Sequence, residues 1–153
     1  MMKKYVICLL CLCIVFSLSA CGTDKVSISS EDFVNFFEGV DGFEVFDRGV
    51  ENGRYSCVIE ADSEDGYDVF LFVYKEEYQA EDDFPELVDD MDDYFTENKA
   101  SASVSLANYE KVAYSDSDKY SVISRIGNTI VHTINVPKDY QEEVKGYLEE
   151  IGY

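Results

Sequence analysis

Acidic side chains are the most abundant residues in this sequence that could do chemistry. The chain of 153 residues contains 32 Asp and Glu against 12 Lys and Arg. The densest run, residues 81–93, includes Asp89, Asp90, Asp92 and Asp93. These could gather a hard cation such as calcium, which prefers carboxylate oxygens. No EF-hand spacing accompanies them, however, and the run is also typical of the solvated face of a helix. Both interpretations stay open.

The sequence has one histidine, His132, which limits the hydrolytic and zinc chemistry available. A serine or cysteine nucleophile needs a base within hydrogen-bond distance, and no glycine-flanked serine accompanies His132. Zinc would need further ligands of the same kind. Because His132 alternates with Ile130 and Ile134 in an apolar strand, the pattern predicts a partly buried, hydrogen-bonded structural histidine. A carboxylate pair for glycoside cleavage stays open on numbers alone.

Three tyrosines give a candidate binding surface. Tyr109, Tyr114 and Tyr120 flank the turn at residues 115–118. Exposed tyrosine supplies rigid contact area together with a hydroxyl group at protein and sugar interfaces. The same residues are also compatible with positions at the edge of the core, so both interpretations stay open.

Hydrophobic spacing and turn residues predict the elements that position these side chains. A helix capped by Ser30 ends at Gly39, and strands follow at 43–48, 54–61 and 67–74, the first two joined through Asn52-Gly53. A second helix follows Pro85, strands span 101–107, 109–114, 119–126 and 129–136, and a last helix opens at Pro137. The strand at 67–74 is apolar on nearly both faces, so we expect it inside the sheet with cover on each side.

This order predicts an α+β fold. We expect three helices and an antiparallel sheet of about six to seven strands, in the order α-β-β-β-α-β-β-β(-β)-α. Strands joined by tight turns must be antiparallel, and helices packed on one face of such a sheet would make a two-layer sandwich. Residues 29–153 are long enough for one compact domain.

The amino terminus carries an export pattern. Lys3 and Lys4 precede an apolar run from Tyr5 to Leu18, which is shorter than the roughly 20 residues that a spanning helix needs. The run ends in Leu18-Ser19-Ala20-Cys21, which resembles the lipobox of bacterial lipoproteins. The carboxyl-terminal helix after Val136-Pro137 also gives the chain a loose similarity to the small, uncharacterised acidic lipoproteins of Gram-positive bacteria.

The lipobox resemblance implies cleavage between Ala20 and Cys21 and a diacylglyceryl group on the Cys21 sulfur. Residues 1–20 would then be a signal peptide and residues 21–28 a lipidated tether, with the mature protein on the extracytoplasmic side of the cell membrane. Among the cysteines, only Cys57 lies beyond Cys21. It alternates with Tyr55, Ile59 and Ala61 along one face of a strand, which predicts a small buried hydrophobe.

Charge and the shortage of catalytic groups define the expected function. The chain carries −20, and loss of Lys3 and Lys4 would leave −22, so nucleic acid is excluded as a partner. We expect a membrane-anchored, non-catalytic module, without a cofactor, that binds an envelope protein or surface component. A lipoprotein that binds a cation or small solute is one alternative, and a hydrolase is another.

Overall fold

The structure is a computed structural model, and it describes residues 24–50, 53–95 and 99–153. The helices are α1 (Ser30–Glu38), α2 (Glu77–Tyr94) and α3 (Gln141–Glu150). The strands are β1 (Phe43–Asp47), β2 (Tyr55–Ser63), β3 (Asp68–Tyr74), β4 (Ala100–Leu106), β5 (Tyr109–Ser115), β6 (Lys119–Ile126), β7 (Thr129–Ile134) and β8 (Val136–Pro137). The lipobox, with Ala20 and Cys21, and Asn52 of the expected hairpin turn lie outside the described residues.

The strands form one antiparallel sheet in the order β1-β2-β3-β7-β6-β5-β4, with β8 paired to β6. The α+β class and the order of elements are therefore confirmed. The sheet has eight strands, slightly more than expected, because the expected strand at 129–136 is divided at Asn135. That residue has a positive φ of 61° and separates β7 from the two-residue β8.

The helices cover both faces of the sheet, which corrects the expected two-layer sandwich. Phe33 of α1 and Leu148 of α3 pack in one core cluster with Leu71 of β3. Phe84 of α2 packs in a second cluster with Phe72 of the same strand. Because neighbouring residues of a strand point to opposite faces, the two clusters lie on opposite sides of the sheet. We call them the α1/α3 face and the α2 face.

Strand β3 is an interior strand between β2 and β7, as its two apolar faces predict. Val69 and Leu71 are fully buried on the α1/α3 face, and Tyr74 is buried on the α2 face. The pairing of β3 with β7 joins the two halves of the chain into one sheet. This pairing places residues more than sixty positions apart side by side, for example Asp68 beside Ile134.

All three helix starts differ from the sequence predictions. For the last helix, a 3₁₀ turn at Lys138–Tyr140 follows Pro137, and α3 begins only at Gln141. Helix α1 is capped by Ser29 instead of Ser30, and the Ser29 hydroxyl accepts a hydrogen bond from the Asp32 amide at 3.1 Å. Helix α2 begins at Glu77, so Pro85 lies inside it instead of before it. A proline at this position leaves the Glu81 carbonyl without its helical donor. Both residues are exposed, so water can satisfy that carbonyl.

The segment expected to be a tether contacts the domain from Lys25 onward. The Lys25 amide donates to Asn108 Oδ1 at 3.1 Å, and Asn108 Nδ2 donates to the Lys25 carbonyl at 2.7 Å. Lys25 Nζ also donates to the Gly152 carbonyl at 3.0 Å. Among the helices of the described ranges, none is long and apolar enough to cross a bilayer.

Candidate functional site

A groove runs along one flank of α2, between the helix and the sheet. Its helical wall is formed by side chains at positions 83, 87, 90 and 94, a spacing that places them on one side of a helix. They are Asp83, Leu87, Asp90 and Tyr94. The floor consists of residues of β2, β3, β6 and β7, and Asp90 lines cavities at both ends. We call this feature the α2 groove.

One end of the α2 groove is a mainly apolar pocket of about 210 Å³. Its lining residues are Asp90, Met91, Tyr94, Ser121, His132, Ile134 and Asn135. The Tyr94 hydroxyl donates to Asn135 Oδ1 at 3.0 Å and thereby links α2 to the end of β7. Lys119 Nζ lies 3.5 Å from the centroid of the Tyr94 ring and donates to its carbonyl. These contacts fix one rim of the pocket.

His132 lies in this pocket as a half-buried, neutral imidazole. Burial lowers the pKa of His132 to about 4, because the charged form loses hydration there. The partly buried position of His132 is as the sequence predicts. The predicted hydrogen bond is absent, because the His132 imidazole bonds to no other described residue. The nearby Ser121 hydroxyl donates to the Thr133 carbonyl. The serine and histidine therefore do not form a nucleophile–base pair.

The other end of the α2 groove is a cavity of about 220 Å³ with an aromatic floor. Tyr55, Phe72 and Tyr74 form that floor. Arg54 Nη2 lies 2.6 Å from Asp83 Oδ1 and bridges the start of β2 to the helix wall. The pKa of Tyr74 is raised by burial and by the neighbouring Tyr55 and Asp83. Tyr74 is thus a neutral hydrogen-bonding group at physiological pH.

Beyond the α2 groove, the same face of the sheet is open over β1 and β2. Helix α2 lies over β3, β5, β6 and β7. Phe46, Val58 and Phe70 are half-buried but belong to neither core cluster. The Phe70 ring stacks on Phe72 of the groove floor, with 5.8 Å between centroids. We call this surface the open face.

Three carboxylates cross one end of the open face on adjacent strands. In the strand register, Glu44 is opposite Asp62, Asp62 is opposite Asp68, and Asp68 is opposite Ile134 of the pocket. We call Glu44, Asp62 and Asp68 the acidic row. The pKa of Asp68 is raised, first by burial and then by repulsion from Asp62 and Glu60. Like charges placed directly opposite in a sheet destabilise it.

The acidic row differs from the neighbouring charges on the open face in its lack of ion pairs to described residues. Glu60 forms an ion pair with Arg48, which also lies over the Phe46 ring at 4.7 Å. None of the ion pairs among the described residues involves a member of the acidic row. The sequence reasoning missed these carboxylates. The signal for them was the alternation of Val58, Glu60 and Asp62 along one face of β2.

The candidate cation ligands on α2 point in different directions. Asp92 is engaged by Lys99 Nζ at 2.6 Å, and this pairing together with Tyr114 lowers its pKa. All three of Asp89, Asp90 and Asp93 are exposed, but only Asp90 lines the α2 groove. Within the described ranges, no cluster of three or more His, Cys, Asp or Glu side chains could hold a metal ion. The four aspartates are thus not brought together at one point.

The three candidate tyrosines do not form a surface patch, which corrects that interpretation. Tyr109 and Tyr120 are buried in the cluster on the α1/α3 face. Tyr114 is buried on the α2 face, where its ring stacks on Phe95. Tyr109 and Tyr114 are five residues apart on one strand, an odd separation that places them on opposite faces.

Cys57 is half-buried against the α1/α3 cluster. Its pKa is raised, mainly by burial, so the thiol is predominantly protonated at neutral pH. A register shift lies between Tyr55 and Cys57. It turns Tyr55 to the α2 face, although simple alternation predicted both residues on one side.

The fold and the groove together define a small α+β domain with one face of its sheet partly open. No protein-family model matches the sequence, and no curated protein matches it significantly. A crystal structure of a GTP binding regulator from Thermotoga maritima aligns with a TM-score of 0.47 and 17% sequence identity. The alignment covers 84% of this chain and 91% of that chain. Likeness at this level does not extend to what either protein binds.

Proposed function

We propose that this protein is a bacterial lipoprotein, held on the extracytoplasmic side of the membrane by a lipid on Cys21, whose domain is a non-catalytic binding module. One observation carries the anchoring proposal. Leu18-Ser19-Ala20-Cys21 directly follows a positively charged start and an apolar run of signal-peptide length. Two acyl chains on one residue would hold a protein stably on a bilayer.

The contacts of Lys25 support a short tether. Lys25 is bonded through its backbone to Asn108, so only the stretch from Cys21 to Lys25 would span the gap between lipid and domain. Four residues extend over about 14 Å at most. The domain would therefore work close to the membrane.

The contacts between Lys25 and Asn108 also support an orientation of the domain relative to the membrane. Asn108 accepts a hydrogen bond from the Gly127 amide, and Asn128 accepts one from the Tyr74 amide, so these turns share one end of the sheet. Asp68 of the acidic row is at the opposite end of β3, about 20 Å away at the usual rise per residue. That separation is roughly two screening lengths at physiological salt. An acidic domain tethered this way avoids repulsion from anionic lipid.

The α2 groove favours binding over chemistry. It combines an apolar pocket with a few polar groups, which is the usual composition of binding sites. The Ser121 hydroxyl is bonded to the Thr133 carbonyl and not to His132, so this serine lacks the base that nucleophilic attack needs. The cation-binding alternative receives no comparable support, because Asp92 is already paired with Lys99.

Fractionation of cells that produce matched cysteine variants tests the anchoring proposal. We expect the wild-type protein and Cys57→Ser to sediment with membranes and to be digested by protease added to cells with a permeable outer layer. We expect Cys21→Ser to be lost from the membrane fraction. Retention of Cys21→Ser at the wild-type level would refute the lipid anchor, whereas protection from protease would refute the extracytoplasmic side.

A further inference from the structure

The open face has the apolar content of a contact surface, but no described helix covers its outer part. Phe46, Val58 and Phe70 are half-buried, and the Arg48 side chain lies over the Phe46 ring. Phe70 stacks on Phe72, so the aromatic surface of β3 extends from the open face into the α2 groove. Apolar surface of this kind, rimmed by polar residues, is typical of a site for a partner.

The acidic row defines the charge of such a partner. Glu44, Asp62 and Asp68 are side by side on three strands. Repulsion from Asp62 and Glu60 adds to the effect of burial in raising the pKa of Asp68, and Arg48 offsets part of that rise. The one nearby guanidinium, that of Arg48, is paired with Glu60. A cationic partner would relieve this repulsion. The chain's net charge of −20 would also attract such a partner over long range.

The pocket of His132 adds an apolar anchoring point next to these charges. Ile134 of the pocket is directly opposite Asp68, and Asp62 is one strand further. Adjacent strands are about 4.8 Å apart, so the two carboxylates lie roughly 5 and 10 Å from the pocket. These distances are similar to the distances between neighbouring side chains of one peptide. The imidazole of His132, which bonds to no other residue of the described ranges, can exchange a hydrogen bond with the peptide's backbone.

We propose that the open face and the α2 groove bind a basic peptide segment of another envelope protein. One apolar side chain of the segment occupies the pocket lined by Met91, Tyr94 and Ile134. Its lysine or arginine side chains contact the acidic row. This proposal rests on the binding module proposed above and names the site and the chemistry of its partner.

A peptide-binding titration tests this proposal. The lipidated protein in nanodiscs of neutral phosphatidylcholine is titrated against a labelled glycine–serine peptide that carries one leucine and three lysines. Fluorescence anisotropy reports binding, with empty nanodiscs as the blank. We expect saturable binding that weakens as salt is added. The peptide with serine in place of leucine should bind more weakly, and the peptide with glutamate in place of lysine should not bind.

Two double variants with the same change in net charge locate the site. Asp62→Asn with Asp68→Asn should weaken binding about tenfold, whereas Asp89→Asn with Asp93→Asn, outside the groove, should change it less than about twofold. Removing the like charges of the acidic row relieves repulsion, so the first variant should remain folded. Ile134→Asn should also weaken binding, through the pocket.

Several results would overturn the proposal. An equal loss of peptide affinity in the two double variants would indicate unspecific electrostatic attraction to the acidic protein as a whole. Equal binding of the leucine and serine peptides would exclude the pocket. Calcium binding that the acidic-row variant alone abolishes, without peptide binding, would identify a cation site. The anchor is judged separately by the Cys21→Ser fractionation, so failure of peptide binding and failure of lipidation are distinguishable.

Discussion

Replacing His132 should remove a pH-dependent part of the protein's stability. Its pKa is about 4 in the folded chain, whereas an unfolded histidine has a pKa of about 6.5. The unfolded state therefore binds more protons between these values, and folding stability falls as pH decreases from about 6.5 to about 4. A pKa difference of this size corresponds to roughly 3 kcal/mol. Above pH 6.5 the effect is absent, because the histidine is neutral in both states.

Urea unfolding of wild-type protein and His132→Gln across pH 7.5 to 4 measures this contribution. Both proteins contain the same carboxylates, so the difference between their free energies of unfolding isolates the histidine. We expect that difference to change by about 3 kcal/mol in favour of the glutamine variant as the pH falls. A constant difference across the whole range would refute the assignment of His132 as a buried, neutral group.

Two further predictions concern the core. Leu71→Ala should lower the free energy of unfolding in urea by about 2–5 kcal/mol, because Leu71 is fully buried. Leu106→Ala on the exposed edge strand should lower it by less than about 1 kcal/mol. Equal losses of stability in the two variants would contradict the assignment of Leu71 to the core. The Cys57 thiol should react with a disulfide reagent at pH 8 more slowly than free cysteine and reach the free rate in urea, because partial burial raises its pKa. Reaction of the native protein at the rate of free cysteine would contradict this.

Local patterns were sufficient to predict most of the fold. The residues of β3 are apolar on both faces, and this property requires cover on both sides of the sheet. It therefore argued against the two-layer arrangement that was inferred from turn types. The prediction that α2 follows Pro85 is wrong, because the helix already begins at Glu77. The actual start uses Glu76 and Gln79, whose side-chain oxygen accepts from the Glu76 amide at 3.2 Å.

The candidate site was less accessible to sequence reasoning. The acidic row depends on the pairing of β2 with β3, and the pocket depends on the pairing of β3 with β7. The second pairing joins strands that are distant in sequence, so no local pattern places Asp68 beside Ile134. Of the two interpretations of the tyrosines, positions in the core are confirmed, and the odd separation of Tyr109 and Tyr114 already places them on opposite faces of a strand.

The intact mass of the protein purified from membranes is the most direct test of the central claim, that Cys21 anchors this domain by a lipid. The account predicts a polypeptide that begins at Cys21 and carries a diacylglyceryl group, with the modification confined to the amino-terminal peptide after proteolysis. An unmodified Cys21, or an amino terminus at any other residue, would contradict it.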